Sequence, residues 1–400
     1  MHDETPLNEI TCGGFEAGGM HAGIKSADFK DLGLLISRKP VHVAGLFTRN
    51  QVQAAPVVLS RQRVAAGSCR AIVANSGNAN CAIGPQGLAA AREMTRRTAE
   101  CLGVAEDEVL VASTGVIGQP LPMAVITRAL PEMVRRVRPD GFMDFARAIM
   151  TTDTVPKLVV RSGDLDGSPF RLVGMAKGAG MIQPDMATML AFVCTDAGAQ
   201  PDILKAMLAR GVNRTLNRIT IDGDTSTNDS IFLMASGASR ARIATKAQTA
   251  RFQEVLDDLL LELAKLLVKD GEGATKLAEI RVVGAVCNSD AHQVAMTVAN
   301  SPLVKTALFG EDANWGRVLA AAGRAGIAFD PEQASISFAD EVIFKNGRWS
   351  GQAVESRVTK IIRRPEFTIT INLHRGDGQD TVYTSDFSVE YVRINADYRS

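Results

Sequence analysis

Apolar positions along the chain follow two periods, and their alternation predicts the secondary structure. Residues 71–75 (AIVAN) form an apolar run halted by Ser76, Gly77 and Asn78, the pattern of a buried strand. A helical stretch over about 87–102 follows. A strand at 109–113 then ends at Thr114-Gly115, and Pro120 and Pro122 mark the connection beyond it. Two more strands, 158–161 and 171–175, flank a turn at Asp164-Leu165-Asp166-Gly167, and 203–208 begins a helix after Pro201-Asp202. The clearest helix is predicted over 247–269. There Phe252, Val255, Leu256, Leu259, Leu263, Leu266 and Leu267 recur at three- and four-residue steps and make one apolar face. Asp270-Gly271 ends it, with Lys265 and Lys269 near the negative end of its dipole. From there the texture changes. Residues 280–286 are strand-like, and beyond Pro331 the alternating runs 335–339, 367–373 and 387–394 predict a mostly β region. This change places a domain boundary near 280, dividing the chain into 1–280 and 281–400.

Composition narrows the class. Four hundred residues, 46% of them hydrophobic, can bury a large core, and the length suits two or three structural units. Lys plus Arg equals Asp plus Glu at 44 each, so no charge excess points to nucleic acid. No stretch approaches about 18 uninterrupted apolar residues, which argues against a membrane span. The N-terminal sequence lacks the basic start and apolar run of a secretion signal, so a cytoplasmic location is expected. Six cysteines lie far apart without a C-x-x-C pair and read as buried thiols. Five histidines show no metal-ligand spacing, and no metal site is expected.

Several polar motifs bear on chemistry. Residues 18–26 (GGMHAGIKS) approach a phosphate-binding loop, but Ile24 occupies the position its lysine requires, which favours a plain glycine turn. Residues 222–229 (DGDTSTND) have the oxygen density of a calcium loop. They lack its glycine (Thr227 stands there) and its closing glutamate (Leu233), which favours a hydrogen-bonded turn. Ser113 to Gly118 follows a strand, where amides at a glycine turn can meet a developing oxyanion; an ordinary turn is the alternative. Thr152-Asp153-Thr154 and Asp270-Gly271-Glu272-Gly273 set hydroxyls and carboxylates beside elements. Lys177 opens the most informative stretch, KGAGMIQPDMATMLAFVCT (177–195), in which Thr188 joins a glycine loop to an apolar strand. A threonine hydroxyl needs a base. Cutting the chain before Thr188 would supply one, because its freed α-amine has a pKa near about 8. Taken alone, the same segment also reads as a strand containing an unremarkable β-former.

Taken together these motifs resemble the ornithine acetyltransferase family, the bifunctional glutamate N-acetyltransferases of arginine biosynthesis. The resemblance spans essentially the whole chain. It is carried by AGLFTRNQVQAAPV (44–57), ANSGNAN (74–80), STGVIGQPLPM (113–123), TTDTVPK (151–157) and KGAGMIQPDMATMLAFV (177–193). It continues through TIDGDTSTND (220–229), KDGEGATK (269–276), SPLVKTALFG (301–310), NWGRVLAA (314–321) and YVRINADYRS (391–400). The resemblance implies self-cleavage at Ala187-Thr188 into an α fragment, 1–187, and a β fragment, 188–400, that stay associated as a dimer of heterodimers. Thr188 would then carry an acetyl group from N²-acetylornithine to glutamate by a ping-pong route, with acetyl-CoA a candidate second donor and no bound cofactor. It further implies an oxyanion site at Thr114 and Gly115, and substrate contacts at Thr154, Lys177, Thr188, Glu272, Asn395 and Ser400. The fold it implies is an α/β layered sandwich around Thr188 with a smaller α+β C-terminal domain. Two other classes use the same residues differently: a hydrolase with N-terminal threonine chemistry, and an uncleaved binding protein.

Overall fold

The computed structural model describes residues 9–26, 28–183 and 189–397. The chain divides into two compact units. The first runs to Asn217 and resumes over Asp224–Leu267; the second takes Arg218–Gly223 and continues from Val268.

The first unit is built on an eight-stranded mixed sheet. Its order is Val109–Val116, Ser68–Asn78, Leu32–Phe47, Ser230–Ala235, Leu190–Thr195, Ser168–Lys177, Lys157–Leu165, with Glu16–Met20 paired antiparallel to Leu32–Phe47. Period-two alternation sorts its side chains into two cores. Leu32, Leu34, Ala71, Val73, Val109 and Val111 pack with Leu59, Met94, Ile126 and Leu130 from the helices Ala55–Val64, Pro85–Leu102 and Met123–Arg136. Their neighbours Leu35, Ile72, Ala74, Leu110 and Ala112 join Val160, Val173 and Met175 from the far end of the sheet, around Phe145, Phe192 and Phe232. The Phe145 and Phe192 rings meet edge to face at 4.9 Å, a geometry worth about 0.5–1.5 kcal/mol beyond its area. Leu190–Thr195 is buried at every position, which is why it reads as an unbroken apolar run. The helix Lys246–Lys269 lies against strand Ser168–Lys177, where a Cβ on Gly174 would stand 2.5 Å from Leu259 Cδ2. The architecture is a layered α/β fold.

Local chemistry explains the turns. Asp166 and Gly167 both have positive φ (54° and 82°), the two-residue link that matches strand twist, and they join Lys157–Leu165 to Ser168–Lys177. The expected strand at 109–113 is longer than its apolar run and extends to Val116, so Thr114 and Gly115 belong to the strand end.

The second unit has a seven-stranded sheet, ordered Arg348–Trp349, Glu341–Lys345, Ser335–Phe338, Glu366–Asn372, Leu277–Ala285, Gly378–Ser385, Ile219–Thr220. The helices Asn288–Ala299, Pro302–Phe309, Trp315–Gly323 and Gln352–Ile362 contribute Val294, Leu308, Val318 and Ile361 to its core. The region beyond Pro331 is therefore mixed, and one expected strand is wrong. Residues 387–394 do not form a strand; Val389–Asp397 is helical. Ser388 Oγ accepts the Tyr391 amide at 3.2 Å, as a helix N-cap does. Val389 and Val392, the valines of that run, stand three apart as on a helix, and at 67% and 66% exposure they face no core.

Gly19 tests the packing of the first unit. A Cβ there would lie 2.1 Å from the Asp144 carbonyl oxygen, a backbone atom. Gly19→Ala is expected to cost at least about 1–3 kcal/mol, seen as a lower urea midpoint. An unchanged midpoint would contradict the placement of helix Phe142–Ala148.

Candidate active site

In the first unit the candidate site forms where two strand ends meet. Gly115 has φ +130°, and a Cβ on it would sit 2.4 Å from the Gly77 carbonyl carbon and 2.6 Å from the Asn78 nitrogen. Only glycine fits that approach. Beside it, Thr114 Oγ1 accepts a hydrogen bond from Lys177 Nζ at 3.3 Å. An ammonium only donates, so the threonine's own hydroxyl hydrogen stays directed to another acceptor. A hydroxyl donor and a main-chain amide on adjacent residues suit an oxygen that gains negative charge.

Lys177 is held by a buried carboxylate. Asp153 Oδ2 lies 4.0 Å from Lys177 Nζ, and Asp153 Oδ1 accepts from Lys157 Nζ at 2.6 Å and from the Gly178 amide at 2.7 Å. The Thr151 amide donates to Oδ2 at 2.9 Å. Burial alone would push the Asp153 carboxyl up. The Lys177 and Lys157 ammoniums, with the amide bonds, outweigh burial and hold it well below the usual carboxylate range. The opposite happens at Asp229, where burial dominates and drives the carboxyl well above that range, against the Ser226 hydroxyl, Lys177 and the Met189 amide. Its Oδ2 has no hydrogen-bond partner among the described residues.

The glycine turn at 18–26 has an internal anion. Asp31 is fully buried, and its carboxylate accepts amides from Ala22 (2.6 Å), Gly23 (3.2 Å), Ile24 (2.7 Å) and Lys25 (3.0 Å). Four converging amides make a nest that elsewhere binds phosphate; here the chain fills it. Lys25 then points inward, donating to Met150 O at 2.6 Å. Burial lowers the Lys25 ammonium to about 8, helped by Lys177 and opposed by Asp31 and Asp153. The turn at 222–229 likewise spends its oxygens internally: Thr48 Oγ1 donates to Ser226 O at 2.8 Å, and Thr227 Oγ1 to Asn228 Oδ1 at 2.7 Å.

The second unit holds a buried carboxylate. Glu272, buried, accepts from Asn395 Nδ2 at 2.7 Å. The helix bearing Asn395 is anchored by Phe387 stacked on Tyr391 at 4.8 Å, and by Gly273, where a Cβ would come within 2.5 Å of the Tyr391 nitrogen. Upstream, Asp386 accepts the Thr275 and Lys276 amides at 2.8 and 3.0 Å. Buried Lys305 donates to Thr384 Oγ1 at 2.8 Å and lies 4.6 Å from the Phe387 ring centre. Burial lowers its ammonium to about 7, against Asp386 and Asp222.

Of the residues named from the sequence, the structure joins Thr114 to Lys177, with Gly115 next in the chain, and Glu272 to Asn395. Thr154 is exposed and follows Asp153 directly. Ala187, Thr188 and Ser400 lie outside the described residues. Sequence reasoning gave no role to Asp31 and Asp229. Neither has a periodic or spacing signal, because what singles them out is burial and the amides around them.

A model of the ArgJ family matches residues 16–400. The arginine biosynthesis bifunctional protein ArgJ of Geobacter sulfurreducens is 49% identical over 389 residues, which is 97% of this chain and 99% of that protein. Its namesake from Desulfotalea psychrophila is 48% identical over 389 residues, with the same coverage of 97% and 99%. Among solved structures, the arginine biosynthesis bifunctional protein argJ of Bacillus halodurans aligns with TM-score 0.51 and 40% identity, covering 53% of this chain and 100% of that one. The chain belongs to the ArgJ family. No helix among the described residues is long and apolar enough to cross a membrane.

Asp153 gives a direct electrostatic test. Asp153→Asn leaves two buried ammoniums without their counter-charge and is expected to cost about 3 kcal/mol or more. Because the folded carboxyl is depressed, its contribution is complete above about pH 4 and is lost as the pH falls below that value. The stability gap between wild type and variant, followed by chemical denaturation, should stay constant from neutral pH to about 5 and then narrow. A gap that does not depend on pH would refute the ion-pair account.

Proposed function

We propose that this chain transfers an acetyl group from N²-acetyl-L-ornithine to L-glutamate through an acetyl-threonyl intermediate on Thr188. The enzyme acts as a glutamate N-acetyltransferase of arginine biosynthesis, in keeping with its family. The observation that carries the reading is the Thr114 hydroxyl, held by Lys177 beside the glycine-only backbone at Gly115. It is the donor pair that a tetrahedral acyl intermediate requires.

Maturation cuts Ala187-Thr188 and frees the Thr188 α-amine. In the first half-reaction this amine takes the proton of the Thr188 hydroxyl as its oxygen attacks the acetyl carbonyl. The Thr114 hydroxyl and the Gly115 amide stabilise the resulting oxyanion, each by roughly 3–4 kcal/mol. Collapse returns the proton to the departing α-nitrogen and releases ornithine. In the second half-reaction the α-amine of glutamate attacks the acetyl-threonine ester, and N-acetylglutamate leaves. Lys177 supplies positive charge for a substrate carboxylate, and Glu272, oriented by Asn395, supplies negative charge for the side-chain ammonium of ornithine. Thr154 and Ser400 complete the substrate contacts. Acetyl-CoA serves as a second donor. The fold that accompanies this reading is a sandwich centred on Thr188 with a smaller α+β C-terminal domain.

The two-fragment part of the proposal has separate support. The Bacillus halodurans chain is matched along its whole length by 53% of these 400 residues, about 212, close to the 213 of residues 188–400. The two associated fragments then pair into a dimer of heterodimers.

Intact-mass analysis of the purified protein tests the maturation step. A fragment beginning at Thr188 is expected from wild type and absent from Thr188→Ala, while Thr188→Ser should retain partial cleavage. A single intact chain with full transfer activity would sink the amine-as-base mechanism. Glu272→Ala is expected to raise KM for acetylornithine about tenfold or more, the loss of one charge-assisted contact. Acetate release that outpaces transfer at saturating glutamate would instead identify a hydrolase. Acetylglutamate formed from acetyl-CoA without acetylornithine would establish the second donor.

A further inference from the structure

Two sequence motifs have no task in this mechanism: the asparagines of ANSGNAN (74–80) and Asn228 of TIDGDTSTND (220–229). The structure brings them to the end of strand Val109–Val116. That strand is outermost in its sheet, so the polar groups of every second residue face away from the ladder. Side chains cap them one after another. Arg63 Nη1 donates to Val109 O at 2.6 Å. Ser60 Oγ donates to Val111 O at 2.6 Å and accepts from the Val111 amide at 2.8 Å. Asn228 Nδ2 donates to Ser113 O at 2.8 Å. Gly115 comes next in this series, and no side chain among the described residues caps it. Its amide is a main-chain donor on this edge available to an incoming oxygen.

The asparagines fix that edge in place. Asn228 Nδ2 also donates to Ala79 O at 2.6 Å, tying the strand end to the segment after Ser68–Asn78. Asn75 Oδ1 accepts from Ser113 Oγ at 2.6 Å, and Asn75 Nδ2 donates to Asn78 O at 2.9 Å. Asn78 Nδ2 reaches past the strand to Gln119 O and Pro120 O, at 3.2 and 3.1 Å. All three asparagines are buried, between 0% and 6% exposed. Asn75 and Asn228 hold Ser113, just before Thr114-Gly115, and Asn78 holds Gln119 and Pro120 just after it. A buried amide used this way is a strut, because releasing it leaves polar groups without water or partner.

We propose that Asn75, Asn78 and Asn228 are positioning residues for acyl transfer, holding the Thr114 hydroxyl and the Gly115 amide at the spacing an oxyanion requires. The inference rests on the oxyanion reading above. Preorganised donors work because they need no reorganisation during reaction, and a displacement of about 1 Å costs on the order of 100-fold in rate. The struts act on the transition state and touch no part of the bound substrate. Their loss should therefore lower kcat and leave KM in place.

The test measures transfer by Asn228→Asp, by the milder Ser113→Ala, which removes only the hydroxyl bonded to Asn75, by Thr114→Ala, and by the Asn228→Asp/Thr114→Ala double variant. Rates are normalised to the cleaved fraction found by intact mass. Asn80→Ala is the control: it is equally buried in the same motif, but its side chain bonds Gly87 O at 3.0 Å on a helix. Asn228→Asp and Ser113→Ala are expected to lower kcat at least about tenfold with KM within about twofold, and Asn80→Ala to change neither. On the Thr114→Ala background, Asn228→Asp should cost less than half as much in log kcat, since both act on one donor pair. Unchanged kcat in both strut variants, additive losses, or an equal loss in Asn80→Ala overturns the positioning role. If Thr114→Ala itself leaves kcat unchanged, the oxyanion reading falls, and the positioning role with it.

Discussion

The ion knot at Asp153 is the interaction on which the candidate site depends. One carboxylate receives the ammonium of Lys157 and the amides of Thr151 and Gly178, and it faces the ammonium of Lys177. Lys157 and Lys177 stand at the open end of one hairpin, in which Lys157 pairs with Ala176. Asp153 therefore closes the end of the hairpin opposite its Asp166-Gly167 turn. The Lys177 ammonium is left within reach of Thr114. Buried charge of this kind seldom adds net stability over apolar packing. Its value here is placement, since a flexible four-carbon side chain is held against one hydroxyl.

The site also illustrates how main-chain geometry is set by what lies behind it. Gly115 is fixed by the approach of Gly77 and Asn78, and Thr114 by its lysine. In the second unit, Glu272 and Asn395 depend on a helix that buries none of its residues and is held by one ring stack and a few polar contacts. Each charge has its own kind of support. Lys177 sits in a sheet; Asn395 sits on a lightly anchored helix.

Much of the architecture was legible in the sequence because burial leaves a period. The helix Lys246–Lys269 follows from its apolar face, and strand Glu366–Asn372 from its alternation. The same rule failed at 387–394, where Val389 and Val392 stand three apart with no core to face and Ser388 starts a helix instead. Thr114, Gly115, Lys177 and Glu272 were reachable as residues of motifs, but their pairing was not, since hydrogen bonds across the sheet carry no local pattern. Asp31 shows the limit most clearly. The turn at 18–26 resembles a phosphate loop in its glycines, and the anion that fills it is an aspartate further along the chain. Only three dimensions reveal that the nest is already occupied.

The capped edge of strand Val109–Val116 has one more consequence. An outermost strand with free polar groups is a template on which another chain can add a strand, the first step of many aggregates. Most natural edges are defended by charge or by a bulge. Here Arg63, Ser60 and Asn228 occupy the outward groups of Val109, Val111 and Ser113 in turn. An added strand would have to displace these four side-chain bonds before gaining its own. This edge therefore resists foreign backbone from Val109 to Ser113 by side-chain capping.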